Sequence, residues 1–167
     1  MSAASPDSDV AWMSIAEFGL KLRDGSLTAE MAMRQTLARI EAGNAALNAF
    51  RPLDVDRAME AAVASDKALA AGDDRGPLHG VPFAAKDIID VQGVVTTAGS
   101  NALLHNTATC DATVVRQLRQ AGMVLAGKTQ TVQFAMGAPG INHDHGTPHN
   151  PWAERHHVPG GSSSGSG

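Results

Sequence analysis

The fold is decided by the stretch Gly76-Pro77-Leu78-His79-Gly80-Val81-Pro82-Phe83-Ala84-Ala85-Lys86-Asp87. Its glycines and prolines predict a turn, and the apolar run Val81–Ala85 is typical of a short buried strand. Ala112–Ala121 predicts a helix, and Met123–Ala126 predicts a second strand. The order strand, helix, strand indicates a parallel α/β arrangement with a covered sheet.

Three helices are predicted before this stretch. Ser14, with Glu17, and Thr28 are expected to cap the first two helices, and the third is expected from Asp54 to Ala71. Each ends at a glycine, in Asp24-Gly25, Gly43-Asn44 and Gly72. The β-branched segment Gly93–Ser100 predicts a further strand. We therefore predict an α/β protein with an N-terminal helical leader over residues 1–75. The start of a mixed, mostly parallel sheet covered by helices follows over residues 76–167.

The composition excludes several classes of protein. Of 167 residues, 43% are apolar and 18% are charged, with a net charge of −4, which favours neither nucleic-acid nor membrane-surface binding. Met1–Val10 lacks the basic and apolar blocks of a signal peptide, and no apolar run approaches a membrane span. The single cysteine, Cys110, excludes a disulfide within these residues and is expected to be a buried apolar filler. We expect a cytoplasmic protein.

Lys86 is unusual because it directly follows the apolar run, where burying an ammonium group costs free energy. One interpretation is structural, with the amine reaching solvent or pairing with Asp87 or Asp90. The other is functional, because desolvation can lower the pKa of a lysine until its neutral amine acts as a base. The pattern alone leaves both interpretations open.

The chain ends on the run Pro159-Gly160-Gly161-Ser162-Ser163-Ser164-Gly165-Ser166-Gly167. Runs of this composition are usually flexible linkers. Glycine also permits close approach of the backbone to a ligand, without obstruction by Cβ. A site that presents three successive hydroxyls is therefore the alternative.

The segment Gly122–Thr129 matches a phosphate-binding loop letter by letter, but we reject that interpretation. In such a loop a strand precedes the first glycine and the middle residues form the turn. Here a predicted helix precedes Gly122, and the middle residues are apolar and strand-like. If Lys128 has a role, we expect it to orient a neighbouring loop.

Histidines crowd the last third of the chain, at His143, His145, His149, His156 and His157. His145 and His149 have the interval of a metal-binding helix, but Gly146 and Pro148 between them prevent a regular helix. We therefore predict no metal site and expect exposed loop histidines.

When Lys86 and the terminal run are considered together, the sequence resembles the N-terminal part of the amidase signature family. The segments that match in order and interval are Gly80-Val81-Pro82, Lys86-Asp87, Thr96–Ser100, Asp111-Ala112, Ala121-Gly122, Gly127-Lys128-Thr129, Phe134–Gly137, Asn150-Pro151-Trp152 and Pro159–Ser163. Each segment is weak alone, but jointly they are specific. The match covers roughly residues 76–167, and residues 1–75 resemble the helical leader of such enzymes.

The resemblance implies a Ser-cisSer-Lys triad on an incomplete amidase signature fold. Lys86 corresponds to the base and Ser162 to the bridging serine, with a cis peptide bond at Gly161–Ser162. The positions that correspond to substrate-binding residues are Met136, Gly137, Gly161 and Ser163. In this chemistry a nucleophilic serine attacks an amide carbonyl and forms an acyl-enzyme, which water hydrolyses to a carboxylate. No metal or organic cofactor is implied.

The sequence departs from the family pattern in three ways. The family's nucleophile lies about two dozen residues beyond the bridging serine, in a turn that also forms the oxyanion hole, whereas this chain stops at Gly167. We therefore expect the nucleophile outside this sequence and the 167-residue chain alone to be inactive. In addition, Gln130 and Gln133 stand where the family often has Asn and Glu, and Ala138-Pro139-Gly140 is atypical.

Three hypotheses for function follow. The first is that this is the N-terminal part of an amidohydrolase that cleaves a carboxamide to a carboxylate and ammonia or an amine. The second is a glutamine-dependent aminoacyl-tRNA amidotransferase A-like subunit, which would work with other subunits. The third is a truncated, non-catalytic interaction module. The expected partners are a small amide substrate and a homodimer or partner subunit.

Overall fold

The structure is a computed structural model that describes residues 9–153, 155 and 157–167. Its helices are α1 (Ile15–Asp24), α2 (Ala29–Leu47), α3 (Val55–Ala70) and α4 (Thr113–Gln120). Its strands are β1 (Pro82–Lys86) and β2 (Val124–Thr129), and single 3-10 turns lie at Val10–Trp12, Asn101–Leu103 and Gln133–Ala135. The predicted α/β class is therefore confirmed.

Helix α1 begins and ends as predicted. The Ser14 hydroxyl accepts the backbone N–H of Glu17 at 3.2 Å, which satisfies one of the amides left free at a helix start. Gly25 follows the last turn with a φ of 80°, a left-handed conformation that favours glycine. Phe18 and Leu22 are buried from this helix. The apolar spacing of α1 therefore supplies core side chains.

Helix α2 begins as predicted but ends later. Thr28 accepts the N–H of Met31 at 3.0 Å, yet the helix continues past Gly43 to Leu47, so the predicted end at Gly43-Asn44 is wrong. A glycine within a helix lowers its stability without forcing it to end. The chain leaves the helix at Asn48, which has a φ of 49°.

Helix α3 also supports the start of α2. Asp54 accepts the N–H of Arg57 at 3.1 Å and begins α3 where predicted. The Asp66 carboxylate accepts the N–H groups of Ala29 at 2.7 Å and Glu30 at 2.9 Å. A carboxylate at a helix N-terminus is stabilising because it satisfies free amides and faces the positive end of the helix dipole.

The sheet has two parallel strands, β1 and β2. Val124 donates its N–H to the carbonyl of Val81 at 3.0 Å, and Asp87 donates to the carbonyl of Thr129 at 2.9 Å. Both strands therefore advance in the same direction, with α4 between them along the chain, which confirms the predicted strand-helix-strand order.

The predicted strand at Gly93–Ser100 is wrong. This segment is made of turns and makes one isolated bridge, between Val95 and Thr107. Its second half, Thr96–Ser100, is fully buried. The β-branched residues therefore indicate burial correctly, but they do not form a sheet ladder.

The chain divides into two compact units. Of the described residues, one comprises 9–39, 54–83 and 117–126, and the other comprises 40–53, 84–116, 127–153, 155 and 157–167. The boundary at residue 75, between a helical leader and a core, stays a prediction about domain organisation. Among the helices that the structure describes, none is long and apolar enough to cross a bilayer.

We predict that Gly43→Ala stabilises the complete protein, because Gly43 lies within α2 and an added Cβ would meet only the Leu47 side chain, at 3.6 Å. The free energy of unfolding should rise by about 0.5–1 kcal/mol, as measured by chemical denaturation. The matched change Gly25→Ala should lower it, because Gly25 has a positive φ. A loss of stability in Gly43→Ala would contradict this account of α2.

Candidate functional site

Lys86 and Ser162 are brought together by the structure. Lys86 is the last residue of β1, and its Nζ donates a hydrogen bond to Ser162 Oγ at 2.6 Å, across 76 residues of sequence. Desolvation by burial lowers the pKa of the Lys86 amine below its ordinary value. The site thus joins a lysine that is easier to deprotonate to a hydroxyl at proton-transfer distance.

The structural interpretation of Lys86, as a partner of Asp87 or Asp90, does not hold. The Asp87 carboxylate lies 3.2 Å from Lys128 Nζ and 3.7 Å from Arg51 Nε. Within residues 9–153, 155 and 157–167, no carboxylate lies within ion-pair distance of Lys86. Its amine therefore faces a hydroxyl and lacks the counter-charge that would favour the ammonium form.

Lys128 is the second lysine of this region, and it is only 4% exposed. Besides Asp87, its Nζ donates to the carbonyl of Ile89 at 2.8 Å and to Thr96 Oγ1 at 3.1 Å. Desolvation lowers the pKa of Lys128, while the charge of Asp87 opposes that shift. The residue lies within β2 rather than in a phosphate-binding turn. Its contacts with Ile89 and Thr96 reach neighbouring loops, and its role in orienting them stays a prediction.

Ser162 is held through its main chain. The Gly161–Ser162 peptide bond is cis, as the family resemblance implies. The Ser162 carbonyl accepts the N–H of Val132 at 3.1 Å and the hydroxyl of Thr131 at 3.0 Å. These bonds leave the Ser162 side chain directed at Lys86.

The rest of the terminal run is hydrogen-bonded as well. Gly165 donates its N–H to the carbonyl of Gln130 at 3.0 Å, and Ser166 Oγ lies 3.2 Å from Thr129 Oγ1. Ser164 is buried, at 2% exposure. The run is therefore anchored along residues 129–132 and does not have the contacts of a flexible linker.

The positions that correspond to substrate-binding residues divide into two groups. Gly137 and Gly161 lie against each other, since a Cβ added to Gly161 would lie 2.5 Å from the Gly137 carbonyl oxygen. Met136 is 83% exposed, and Ser163 is exposed too. The two glycines thus meet next to Ser162, while Met136 and Ser163 present accessible side chains.

The segment before Gly137 has an unusual backbone. Phe134 and Ala135 have φ values of 52° and 57°, in the left-handed region that non-glycine residues rarely adopt. The N–H of Phe134 donates to the carbonyl of Ala98 at 2.7 Å. Such conformations persist when surrounding contacts determine them, and they are concentrated at functional sites.

Sequence reasoning missed Asn142, which connects the buried segment Thr96–Ser100 to Thr131, a residue that contacts Ser162. Its Nδ2 donates to the carbonyls of Gly99 and Thr131, both at 2.8 Å. Its Oδ1 accepts the N–H groups of the two residues Asp144 and His145. An asparagine in a glycine-rich turn signals local hydrogen bonding, but its reach to Gly99 is not visible in the sequence.

The histidines form no metal site in the described part of the chain, where no cluster of three or more metal-ligating side chains occurs. His143, His149 and His157 are exposed as expected, and His156 lies outside the described residues. His145 is the exception, because both ring nitrogens are buried with no hydrogen-bond partner among the described residues. Burial lowers the pKa of His145 accordingly.

Cys110 does not match its prediction. It was expected to be a buried apolar filler, but it is exposed. It lies just before Asp111, which accepts the N–H of Gln92 at 2.8 Å. Its other neighbour, Thr109, is exposed in the same bend as Cys110, so the thiol is accessible at the surface.

We predict that Gly161→Ala destabilises the complete protein, because the added Cβ would meet the Gly137 carbonyl oxygen at 2.5 Å and the Gly140 nitrogen at 2.7 Å. Both are backbone atoms that cannot rotate away, so the free energy of unfolding should fall by about 1–3 kcal/mol. Chemical denaturation would measure this change. Ser163→Ala, at the exposed neighbouring hydroxyl, should change stability by less than about 0.5 kcal/mol, and equal effects of the two changes would refute this packing.

The comparisons with known proteins agree with this geometry. The Amidase family model matches residues 31–167. Over 159 residues the chain is 42% identical to a glutamyl-tRNA(Gln) amidotransferase subunit of Acidothermus cellulolyticus, a match that covers 95% of this chain and 31% of that protein. It is 41% identical over 161 residues to the 2-amino-5-chloromuconic acid deaminase of Comamonas testosteroni, covering 95% and 35%.

The fold agrees with solved structures as well. The native peptide amidase of Stenotrophomonas maltophilia superposes with a TM-score of 0.85 at 32% identity, covering 96% of this chain and 34% of that one. The chain thus spans about a third of the length of the relatives it matches. Because the family model covers most of the sequence, the resemblance is confirmed, and this chain belongs to the Amidase family.

Proposed function

We propose that the complete protein hydrolyses a carboxamide C–N bond through a serine acyl-enzyme, with Lys86 as the base and Ser162 as the bridging serine. The observation that carries this proposal is the 2.6 Å contact between Lys86 Nζ and Ser162 Oγ. This contact is informative because the carboxylate next to Lys86 in sequence, that of Asp87, pairs with Lys128. Membership of the Amidase family supports the same reaction.

In the proposed chemistry a proton is relayed in two transfers, from the nucleophilic serine to Ser162 and from Ser162 to Lys86. The neutral Lys86 amine accepts the proton of the Ser162 hydroxyl, and Ser162 accepts the proton of the nucleophilic serine as that serine attacks the amide carbonyl. The proton then returns to the leaving nitrogen, which departs as ammonia or an amine. Water hydrolyses the acyl-enzyme to a carboxylate. The nucleophile and its oxyanion hole are expected outside these 167 residues.

The proposed acyl pocket includes Met136, Gly137, Gly161 and Ser163. It is supported by the contact of the two glycines directly beside Ser162 and by the exposure of the Met136 side chain. The absence of a side chain at Gly161 lets its backbone pack against the Gly137 carbonyl directly before Ser162. Met136 would contact the apolar part of the acyl group.

This proposal requires no cofactor, because the base, the hydroxyl relay and the nucleophile are all protein side chains. A cytoplasmic location is part of the proposal and is supported by the single cysteine of the sequence. The partners proposed are a small amide substrate and a homodimer or partner subunit.

A second candidate function is ammonia release from glutamine within a multi-subunit amidotransferase. The specific observation in its favour is the 42% identity to a glutamyl-tRNA(Gln) amidotransferase subunit. Glutamine hydrolysis that appears only on addition of the partner subunits would select this function. Hydrolysis of simple carboxamides by the protein alone would select the first.

We predict that Lys86→Ala and Ser162→Ala each lower kcat/KM for amide hydrolysis by at least about a hundredfold, because each removes one link of the proton path. The assay would use the complete protein and a panel of carboxamides that includes glutamine, an aryl acetamide and a peptide C-terminal amide. Lys67→Ala is the matched control, since Lys67 is exposed in α3 and should leave kcat/KM unchanged. Normal turnover by Lys86→Ala would remove Lys86 from the mechanism.

The pH dependence of the reaction gives a further prediction. Lys86 accepts a proton only when it is neutral, so kcat/KM should rise with pH through the pKa of this amine. Because desolvation lowers that pKa from 10.5, the rising limb should have its midpoint below 10.5. A midpoint at or above this value, in a pH–rate profile of the complete protein, would be incompatible with a desolvated base.

A further inference from the structure

Thr131 presents a buried hydroxyl to the main chain of Ser162, and the proposed mechanism does not use it. The residue lies two positions beyond the end of β2 and is 0% exposed. Its Oγ1 lies 3.0 Å from the Ser162 carbonyl oxygen and 3.2 Å from the Val132 carbonyl oxygen. A hydroxyl has one hydrogen to donate, and the Ser162 carbonyl is the nearer acceptor. This buried donor is therefore directed at the backbone of a proposed site residue.

The position of Thr131 is itself fixed. Its carbonyl accepts the side-chain amide of Asn142 at 2.8 Å, and the same Nδ2 donates to the carbonyl of Gly99 at 2.8 Å. Gly99 packs so closely that an added Cβ would lie 2.7 Å from the Thr131 carbonyl oxygen. Buried polar groups that are satisfied in this way specify one arrangement. The Thr131 hydroxyl is thus presented from an anchored segment.

The Ser162 carbonyl has two donors. Besides the Thr131 hydroxyl, it accepts the N–H of Val132 at 3.1 Å. Two donors on one carbonyl restrict the rotation of that peptide plane, and with it the backbone torsion ψ of Ser162. Because side-chain rotamers depend on the backbone torsions, the direction of the Ser162 hydroxyl depends on these two bonds. That hydroxyl is the partner of Lys86 Nζ at 2.6 Å.

We propose that Thr131 is a positioning residue, and that its buried hydroxyl fixes the main chain of Ser162 so that Ser162 Oγ stays at proton-transfer distance from Lys86 Nζ. This inference rests on the proposed function, in which Ser162 relays a proton to Lys86. Thr131 takes no proton in that relay and acts through Ser162, because a small rotation of one partner is enough to weaken a hydrogen bond.

A purely structural role for Thr131 makes a different prediction. At a fully buried position the methyl group contributes to stability through packing, and activity would then follow the methyl group. A positioning role requires that activity follows the hydroxyl. The two groups can be removed separately, because valine keeps the shape of threonine without the hydroxyl, and serine keeps the hydroxyl without the methyl group.

The experiment compares the complete wild-type protein with Thr131→Val, Thr131→Ser and Thr131→Ala, of which the last two differ from each other by the hydroxyl alone. The matched control is Thr36→Val in α2, where the lost hydroxyl donates to the carbonyl of Ala32 at 2.9 Å. For each protein we would measure kcat and KM for the best carboxamide substrate, the free energy of unfolding, and the titration midpoint of the Lys86 amine by NMR.

We expect kcat to fall about tenfold in Thr131→Val with little change in KM, because the relay is misaligned while the substrate contacts stay in place. The loss is smaller than that expected for Ser162→Ala, since the Val132 N–H still holds the Ser162 carbonyl. Thr131→Ser should keep kcat within about twofold of wild type, although the lost methyl group lowers its stability. Thr36→Val should leave kcat unchanged.

The titration of Lys86 supplies a readout that needs no turnover. Removing the hydroxyl partner of an amine changes the balance between its charged and neutral forms. In Thr131→Val we expect the midpoint of Lys86 to move toward the value measured in Ser162→Ala, because the Ser162 hydroxyl is less firmly held. In Thr131→Ser and in Thr36→Val the midpoint should stay at the wild-type value.

Two results would overturn the inference. One is a Thr131→Val variant with the wild-type kcat and the wild-type midpoint of Lys86. The other is an equal loss of activity in Thr131→Val and Thr131→Ser, which would assign the effect to packing. If Thr131→Val does not fold, Thr131→Ser and Thr131→Ala decide the question, with kcat expected about tenfold lower in Thr131→Ala. Equal activity of these two variants would also refute the role of the hydroxyl.

The outcome can be separated from that of the proposed function. If the midpoint of Lys86 in Thr131→Val moves toward the Ser162→Ala value but the complete protein hydrolyses no amide, the positioning role stands and the amidase proposal fails. If amides are hydrolysed and Lys86→Ala is inactive, but Thr131→Val behaves as the wild type, the amidase proposal stands and the positioning role fails.

Discussion

The hydrogen bond between Lys86 Nζ and Ser162 Oγ is the contact on which the proposed chemistry depends. A strand that ends in a lysine usually either sends the charge to solvent or pairs it with a carboxylate, because burying an isolated ammonium group is costly. Here the amine of the half-buried Lys86 contacts the Ser162 hydroxyl, with no carboxylate at ion-pair distance among the described residues, and burial lowers the pKa of Lys86. Desolvation disfavours the charged form, which is what the proposed role of Lys86 as a base requires.

Lys86 and Lys128 lie on the two strands of one short sheet but differ in burial and in the partners of their amines. Lys128 is the more deeply buried of the two, and it has the Asp87 carboxylate, the Ile89 carbonyl and the Thr96 hydroxyl as partners. Its surroundings are those of a structural charge, which is paired and hydrogen-bonded. Lys86 has a hydroxyl as its partner, and that difference in partner separates a candidate base from a structural cation.

Local signals in the sequence predicted most of the elements, and long-range contacts account for what was missed. Ser14 and Thr28 begin helices as their side chains indicate, because capping depends on neighbouring residues alone. Gly43 does not end α2, since a glycine weakens a helix without stopping it. The pairing of Lys86 with Ser162 came from the family resemblance. The reach of Asn142 to Gly99 could not be predicted, because no local pattern specifies a partner 43 residues away.

The most direct test of the central claim is an NMR titration of the Lys86 side chain in the complete protein. The Cε–Hε signal of this lysine, assigned with Lys86→Arg, reports the protonation of its amine as the pH is raised. We predict a midpoint below the ordinary value of 10.5, together with a change in that midpoint when Ser162→Ala removes the hydroxyl partner. A Lys86 that titrates at or above 10.5, and does so identically with and without the Ser162 hydroxyl, would contradict the assignment of this lysine as a desolvated base.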